Sequence, residues 1–292
     1  MNKVLRDMIN EKDMKKLLLV LTMMTCAVLT LGAQAKIYTK KMKVADFTEK
    51  TLKVVLSGNE MADAPFKADV VNHWRLSPYE FCSMGEFNAL KTDDNYYFMF
   101  IVSRADEIDY LEIVKGNPQP GDNLEKMLSV VSLPLRASGD RGVRYLAYLG
   151  AYLDFFQDFI ADAMTSDIIG YSGLSRQALA VKLPKGSGIR IADVDLASGS
   201  ADEIPALLAD KDVRVVSAEE ADNLMLSAAD RTLVGYSIRP VREVKHKYCF
   251  TLLIGAGDHK LYYCNKQYYK QDETAGFTTQ VIKKILWRLP KQ

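Results

Sequence analysis

The chain has 292 residues, 48% of them hydrophobic, with 38 Lys plus Arg against 37 Asp plus Glu and a formal net charge of +1. So even a balance gives no bulk attraction to phosphate backbones or anionic lipid, which excludes nucleic acid as the expected partner. The length suits one large domain or two of ordinary size, with apolar content sufficient for real cores.

At the amino end Met14, Lys15 and Lys16 precede an apolar run from Leu17 to Leu31, and Ala33, Gln34 and Ala35 follow. A short basic start, a short apolar segment and small residues at its close predict a secretory signal peptide cleaved after Ala35, with Met14 as the initiator. The alternative is an uncleaved anchor. Cys26 lies inside the apolar run, so it reads as a leader residue and not a lipidation site. The mature chain then starts at Lys36, with 33 basic against 34 acidic residues, and works in the periplasm or, alternatively, outside the cell. No later segment approaches about 18 uninterrupted apolar residues, so the mature form is not expected to span a membrane.

Downstream the chain repeats itself. At an offset of 134, the segment Tyr79 to Leu90 lies over Val213 to Leu224. Each copy reads as a short strand followed by a Ser-x-x-Glu capping box, Ser83 with Glu86 and Ser217 with Glu220, which starts a helix. Before the first box, Thr51 to Ser57 favours strand, and Asn59 can cap a helix with Met61, Phe66, Val70 and Trp74 on its apolar face. Pro65 counts against regular helix there. In the second copy Gly188 to Leu196 is the strand and Asp202 to Ala209 the helix, with Pro205 in its first turn. After the boxes come strands Tyr96 to Val102, Asp109 to Lys115 and Met127 to Leu133 in the first copy. Thr232 to Ile238, Tyr248 to Ile254 and Lys260 to Asn265 are their counterparts in the second.

Each copy closes with a helix. Val143 to Met164 carries Tyr145, Leu149, Tyr152, Phe156, Phe159 and Ala163 at helical spacing, and Leu146, Leu153 and Ile160 widen the stripe. A face that wide predicts burial on more than one side, between the two copies. The last helix, Thr278 to Trp287, has a narrower stripe of Val281, Ile285 and Leu286, with Pro290 beyond it. Between the copies, Gln177 to Leu183 alternates like a strand, so the boundary falls near Asp167 to Ser175. The expectation is an α/β (α+β) fold of two tandem duplicated lobes, 36–168 and 169–292, each about βαβαβββα with a mixed sheet. A single domain with a chance match is the alternative.

Residues with chemical potential are few. Placing Phe250 opposite Tyr263 and Leu252 opposite Leu261 in the last hairpin sets Cys249 against Cys264, close enough for a disulfide in an oxidising compartment. A neighbouring register leaves both thiols free. Cys82 aligns with the apolar Val216 and reads as a buried, inert thiol. The histidines His73, His246 and His259 match no zinc spacing, so no metal is expected. Gly170 to Leu174 lacks the closing glycine of a nucleophile elbow, Gly255-Ala-Gly257 leads into a strand and not a helix, and no catalytic residue or cofactor emerges. Asp193 with Asp195 and Asp93 with Asp94 read as solvated pairs. Tyr262, Tyr263, Tyr268 and Tyr269 crowd the last hairpin. Tyrosines pack well on sheets, and, if exposed, they would offer a flat surface for glycan, peptide or protein.

The segments Leu52 to Leu56, Trp74 to Phe81 and Ala275 to Phe277 resemble a group of uncharacterised, secreted bacterial α/β proteins, a likeness that implies no activity and no site residue. At fold level, the strand that runs into a short acidic helix, Tyr79 to Glu86, is similar to the periplasmic α/β domains at the front of TolB and in CsgG-like and penicillin-binding-protein activator proteins. Fold alone assigns no function. The expected function is that of a non-enzymatic periplasmic protein that binds another envelope protein or assembles with itself as a homo-oligomer. The alternatives are a small-ligand or glycan binder using the cleft between lobes or the Tyr-rich hairpin, and an unrecognised hydrolase.

Overall fold

The computed structural model describes residues 40–117, 126–200, 203–204, 212–242, 244, 247–270 and 272–289, all within one compact unit that starts at Thr39. The leader with Met14 and Cys26, most of the helix expected at Asp202 to Ala209, His246 and Pro290 lie outside the described residues.

Two five-stranded mixed sheets form, and they share one strand plan. In the first lobe β1 (Thr51–Val55) pairs in parallel with β2 (Tyr79–Cys82) and β3 (Tyr96–Ser103), and β4 (Ile108–Lys115) and β5 (Leu128–Ala137) extend the sheet antiparallel, giving the order β2-β1-β3-β4-β5. In the second lobe β6 (Gly188–Ala192), β7 (Val213–Val216), β8 (Thr232–Ile238), β9 (Tyr248–Gly255) and β10 (Leu261–Tyr268) repeat it as β7-β6-β8-β9-β10. The fold is thus α/β in two lobes, and the offset of 134 maps β2 onto β7 residue for residue.

The helices begin where local chemistry starts them. Helix α1 (Lys40–Val44) leads into the first lobe. Asn59 accepts from the backbone N–H of Met61 and Ala62 to open α2 (Glu60–His73). That helix runs through Pro65; the carbonyl this proline leaves without its helical partner belongs to Met61, which is 89% exposed and so not on the apolar face. Ser83 and Glu86 make the full reciprocal box at the start of α3 (Met84–Leu90). Ser217 Oγ accepts from Glu220 N at 3.1 Å to start α7 (Ala218–Leu226). Thr278 caps α8 (Thr279–Trp287).

Helix α4 (Leu146–Thr165) lies between the lobes. Its Tyr148, Tyr152, Phe156 and Ile160 are fully buried, in one continuous core that takes Leu52, Val54, Tyr97 and Met99 from the first sheet and Val234, Leu252 and Ile254 from the second. Each such side chain contributes roughly 1.5–3 kcal/mol by leaving water, so this helix is the main tie between the copies. The far face of the first sheet packs Phe98 and Phe100 against Phe87 of α3. That of the second packs Ile189, Ile191 and Leu233 against Val281, Ile282 and Ile285 of α8.

Two stretches depart from their expected form. The strand expected over Gly188 to Leu196 stops at Ala192, and Asp193–Asp195 forms a short 3-10 helix instead. Gln177 to Leu183 is no strand: α5 (Asp167–Ser172) and α6 (Leu174–Ala180) follow α4 directly. Ser166 Oγ caps α5 through Ile169 N, and Arg-Gln-Ala-Leu-Ala in α6 is a run of strong helix formers whose propensity outweighs a short alternation.

Candidate functional site

The last hairpin departs from the simple alternation on which the disulfide and tyrosine expectations rest. Leu261 opposes Ile254, but a bulge follows and Tyr263 then opposes Leu253, Cys264 opposes Leu252 and Gln267 opposes Cys249. A bulge moves every later side chain to the other face. Cys264 therefore turns into the central core, while Cys249 packs with Tyr269 and Ala275 in a separate cluster. The two thiols are free, so no disulfide joins them. Cys264 touches Ser175 Oγ at 3.2 Å and burial pushes its thiol up to about 11; burial likewise raises Cys82 and Cys249. None of the three has the lowered pKa of a nucleophile.

The same bulge buries tyrosines. Tyr262 and Tyr263 both enter the core under α8, and Tyr269 is 5% exposed, which removes the flat aromatic surface. Tyr268 alone of the four is exposed, at 56%, edge-on to Tyr248. Tyr262 donates to Asp258.

At the seam, Asp195 is not a solvated acid. It is buried, 2.8 Å from Arg144 Nη2, and accepts from Ser237 N and Oγ at 3.0 Å each. Arg144 Nε also reaches Asp222 at 2.9 Å, and Tyr148 and Tyr236 stack 4.2 Å apart beside this group. Tyr236 of the second lobe donates across to the Leu135 carbonyl on β5, beside which Tyr152 of α4 donates to the Pro134 carbonyl. Around Tyr148, Tyr152 and Tyr236 the seam is thus filled by core side chains and paired charges, whereas a pocket lined by Phe155, Asp158, Gln177, Ala178 and Lys260 opens where α4 meets α6 and the β9–β10 turn.

One cluster there has its polar atoms turned to a common point. His73 ends α2 in the first lobe, Asp154 sits on α4, and His259 stands in the β9–β10 turn of the second lobe with a left-handed backbone, φ +48°. Asp154 Oδ2 accepts from His73 Nδ1 at 3.1 Å and from His259 Nδ1 at 2.6 Å, and the two rings are 5.6 Å apart. Burial pushes the Asp154 carboxyl up, but the bonds from His259 and His73 outweigh it and hold the group below its usual range. Asp69, one turn before His73, and Asp158, one turn after Asp154, are raised by burial. Gly150 leaves room beneath the cluster, since a Cβ there would stand 2.6 Å from His73 Nε2 and push the ring away. Gln157 locks the corner, accepting from Arg75 N and Leu76 N and donating to the His73 carbonyl. Two imidazoles and a carboxylate with donor atoms all within 4.8 Å of one another can hold a cation. Sequence spacing did not reveal them, because the partners lie 81 and 105 residues from Asp154.

Exposed apolar side chains gather elsewhere. Ile168 and Tyr171 share one face of α5 and are 82% and 65% exposed, and Met42 of α1, the helix packed on α5, is half exposed. Lys40 N donates to the Tyr171 hydroxyl and Lys41 N to Asp167, which fixes α1 against this face.

Comparison of the chain with protein-family models, with curated proteins and with solved structures finds no match in any of the three. What the fold and its sites define is therefore a class: an α/β protein of two lobes joined through a shared core. No helix among the described residues is long and apolar enough to cross a membrane.

Proposed function

We propose that this is an exported, non-enzymatic protein of the periplasm that binds another envelope protein through the α1–α5 face. The observation that carries the reading is the pair Ile168 and Tyr171, two large side chains that lie mostly exposed on one helix face. Exposed apolar and aromatic groups on a folded surface favour protein partners. Burial of Cys82, Cys249 and Cys264 weighs against a cysteine nucleophile, and burial of Tyr262, Tyr263 and Tyr269 weighs against the hairpin as a glycan platform. Export itself rests on the leader, Met14 to Ala35.

A photo-crosslinking residue placed at Ile168 in the full chain tests the proposal in cells. A discrete adduct with an envelope protein, formed at Ile168 and not from a control position at Glu219, is the expected result. Equal labelling at both positions, or recovery of the uncleaved chain in the cytoplasm, would overturn it. An adduct with a second copy of the chain would replace the envelope partner by self-assembly.

A further inference from the structure

We propose that His73, Asp154 and His259 form a binding site for a divalent first-row transition ion, one that ties the second lobe to the first. This reading is independent of the α5 face and of any protein partner.

The donor set is the first reason. Two imidazole nitrogens and one carboxylate oxygen suit zinc and its neighbours, and disfavour calcium and magnesium, which prefer all-oxygen shells. The three donor atoms lie within 4.8 Å of one another. Donors about 2.0–2.2 Å from a tetrahedral ion are roughly 3.4 Å apart, so small side-chain rotations suffice to admit one. Both rings present the same atom, Nδ1, to the same carboxylate oxygen.

The second reason is that the cluster is held in place by its surroundings. The Gly150 backbone lies close under the His73 ring, where a Cβ would displace it, and Gln157 ties the end of α2 to α4. His259 itself takes the left-handed conformation of the β9–β10 turn, where its N–H donates to Gly255 O at 3.0 Å. The side chains of His73, His259 and Asp154 are 26%, 22% and 34% exposed, enough for an ion to enter and to keep a water as a fourth ligand.

The alternative is that Asp154 merely clamps the two histidines by hydrogen bonds, and metal titration separates the two. The tag-free mature chain is titrated with zinc against a chromogenic chelator, and cobalt(II) is added separately to read coordination from its visible bands. The expected result is one equivalent bound with nitrogen-containing coordination. His73→Ala and His259→Ala should each weaken binding by about 100-fold or more, since even outer partners of a metal ligand are worth about 10- to 100-fold. His246→Ala, which removes the remaining histidine, should bind as the unaltered chain does. Zinc should raise the thermal midpoint of the unaltered chain and not that of the double variant His73→Ala/His259→Ala. Circular dichroism checks each variant's fold, and the cobalt spectrum of the unaltered chain gives a reading that depends on no substitution. Failure of the unaltered chain to compete for zinc, or undiminished competition by a folded double variant, would overturn the proposal.

Discussion

The two lobes share one strand order, yet their closing helices end in opposite situations. Helix α4 closes the first lobe and meets apolar groups on both sides, so Tyr148, Tyr152, Phe156 and Ile160 are all fully buried. Helix α8 closes the second and buries only Val281, Ile282 and Ile285, leaving Gln280, Lys283, Lys284 and Trp287 in water. The lobes stack in the same sense, with the α7 side of the second sheet taking the place beside α4 that solvent occupies beside α8. Duplicated units that stack this way need a terminal unit with a polar outer face to stop further stacking. The width of an apolar stripe therefore decides whether a repeated helix becomes a seam or a cap.

Substitutions that treat the two helices alike test that contrast. Phe156→Ala should cost about 3–5 kcal/mol and loosen both lobes, whereas Ile285→Ala should cost about 2–4 kcal/mol and loosen mainly the second; denaturant titration with hydrogen exchange reads both. Equal effects on both lobes from Ile285→Ala would break the distinction. At the seam, Arg144→Ala leaves Asp195 buried without its cation and should cost roughly 3 kcal/mol, measured by the same titration.

A pH series sharpens the comparison from the first lobe's side. Asp46 loses solvent, but bonds from Lys115, Lys50 and Tyr97 hold its carboxyl down at about 2. A carboxyl depressed in the folded state gives stability that is full above its unfolded pKa and disappears as pH falls toward the folded one. The unaltered chain should lose up to about 2 kcal/mol from this group between pH 4 and 2, and Asp46→Asn should show a flatter curve in that window. An unchanged slope would contradict the assignment.

Smaller effects lie at the caps. Ser83→Ala should cost about 1 kcal/mol and Ser217→Ala slightly less, because the Ser83 box is bonded in both directions; thermal unfolding reads the difference. Smallest of all, Trp287→Ser should stay within about 0.5 kcal/mol, since the side chain is 93% exposed.

Much of the fold is legible in the sequence because its signals are local. The Ser-x-x-Glu boxes at Ser83 and Ser217 fix where two helices start, and the wide stripe on Val143 to Met164 foretells burial between copies. Alternation places β8 and β9 within a residue, but it cannot report the bulge after Leu261, and that single shift undid both the Cys249–Cys264 pairing and the exposed tyrosine surface. The alternation over Gln177 to Leu183 failed for a different reason, being too short to compete with helical propensity. His73, Asp154 and His259 were invisible because a site assembled from three distant elements leaves no spacing to find.

Hydrogen exchange across a denaturant series, followed in β3 of the first lobe and β8 of the second, addresses the fusion of the two copies most directly. A shared core through α4 predicts that Tyr96–Ser103 and Thr232–Ile238 lose protection at one common midpoint. Two separate midpoints, with one lobe exchanging while the other stays protected, would contradict it.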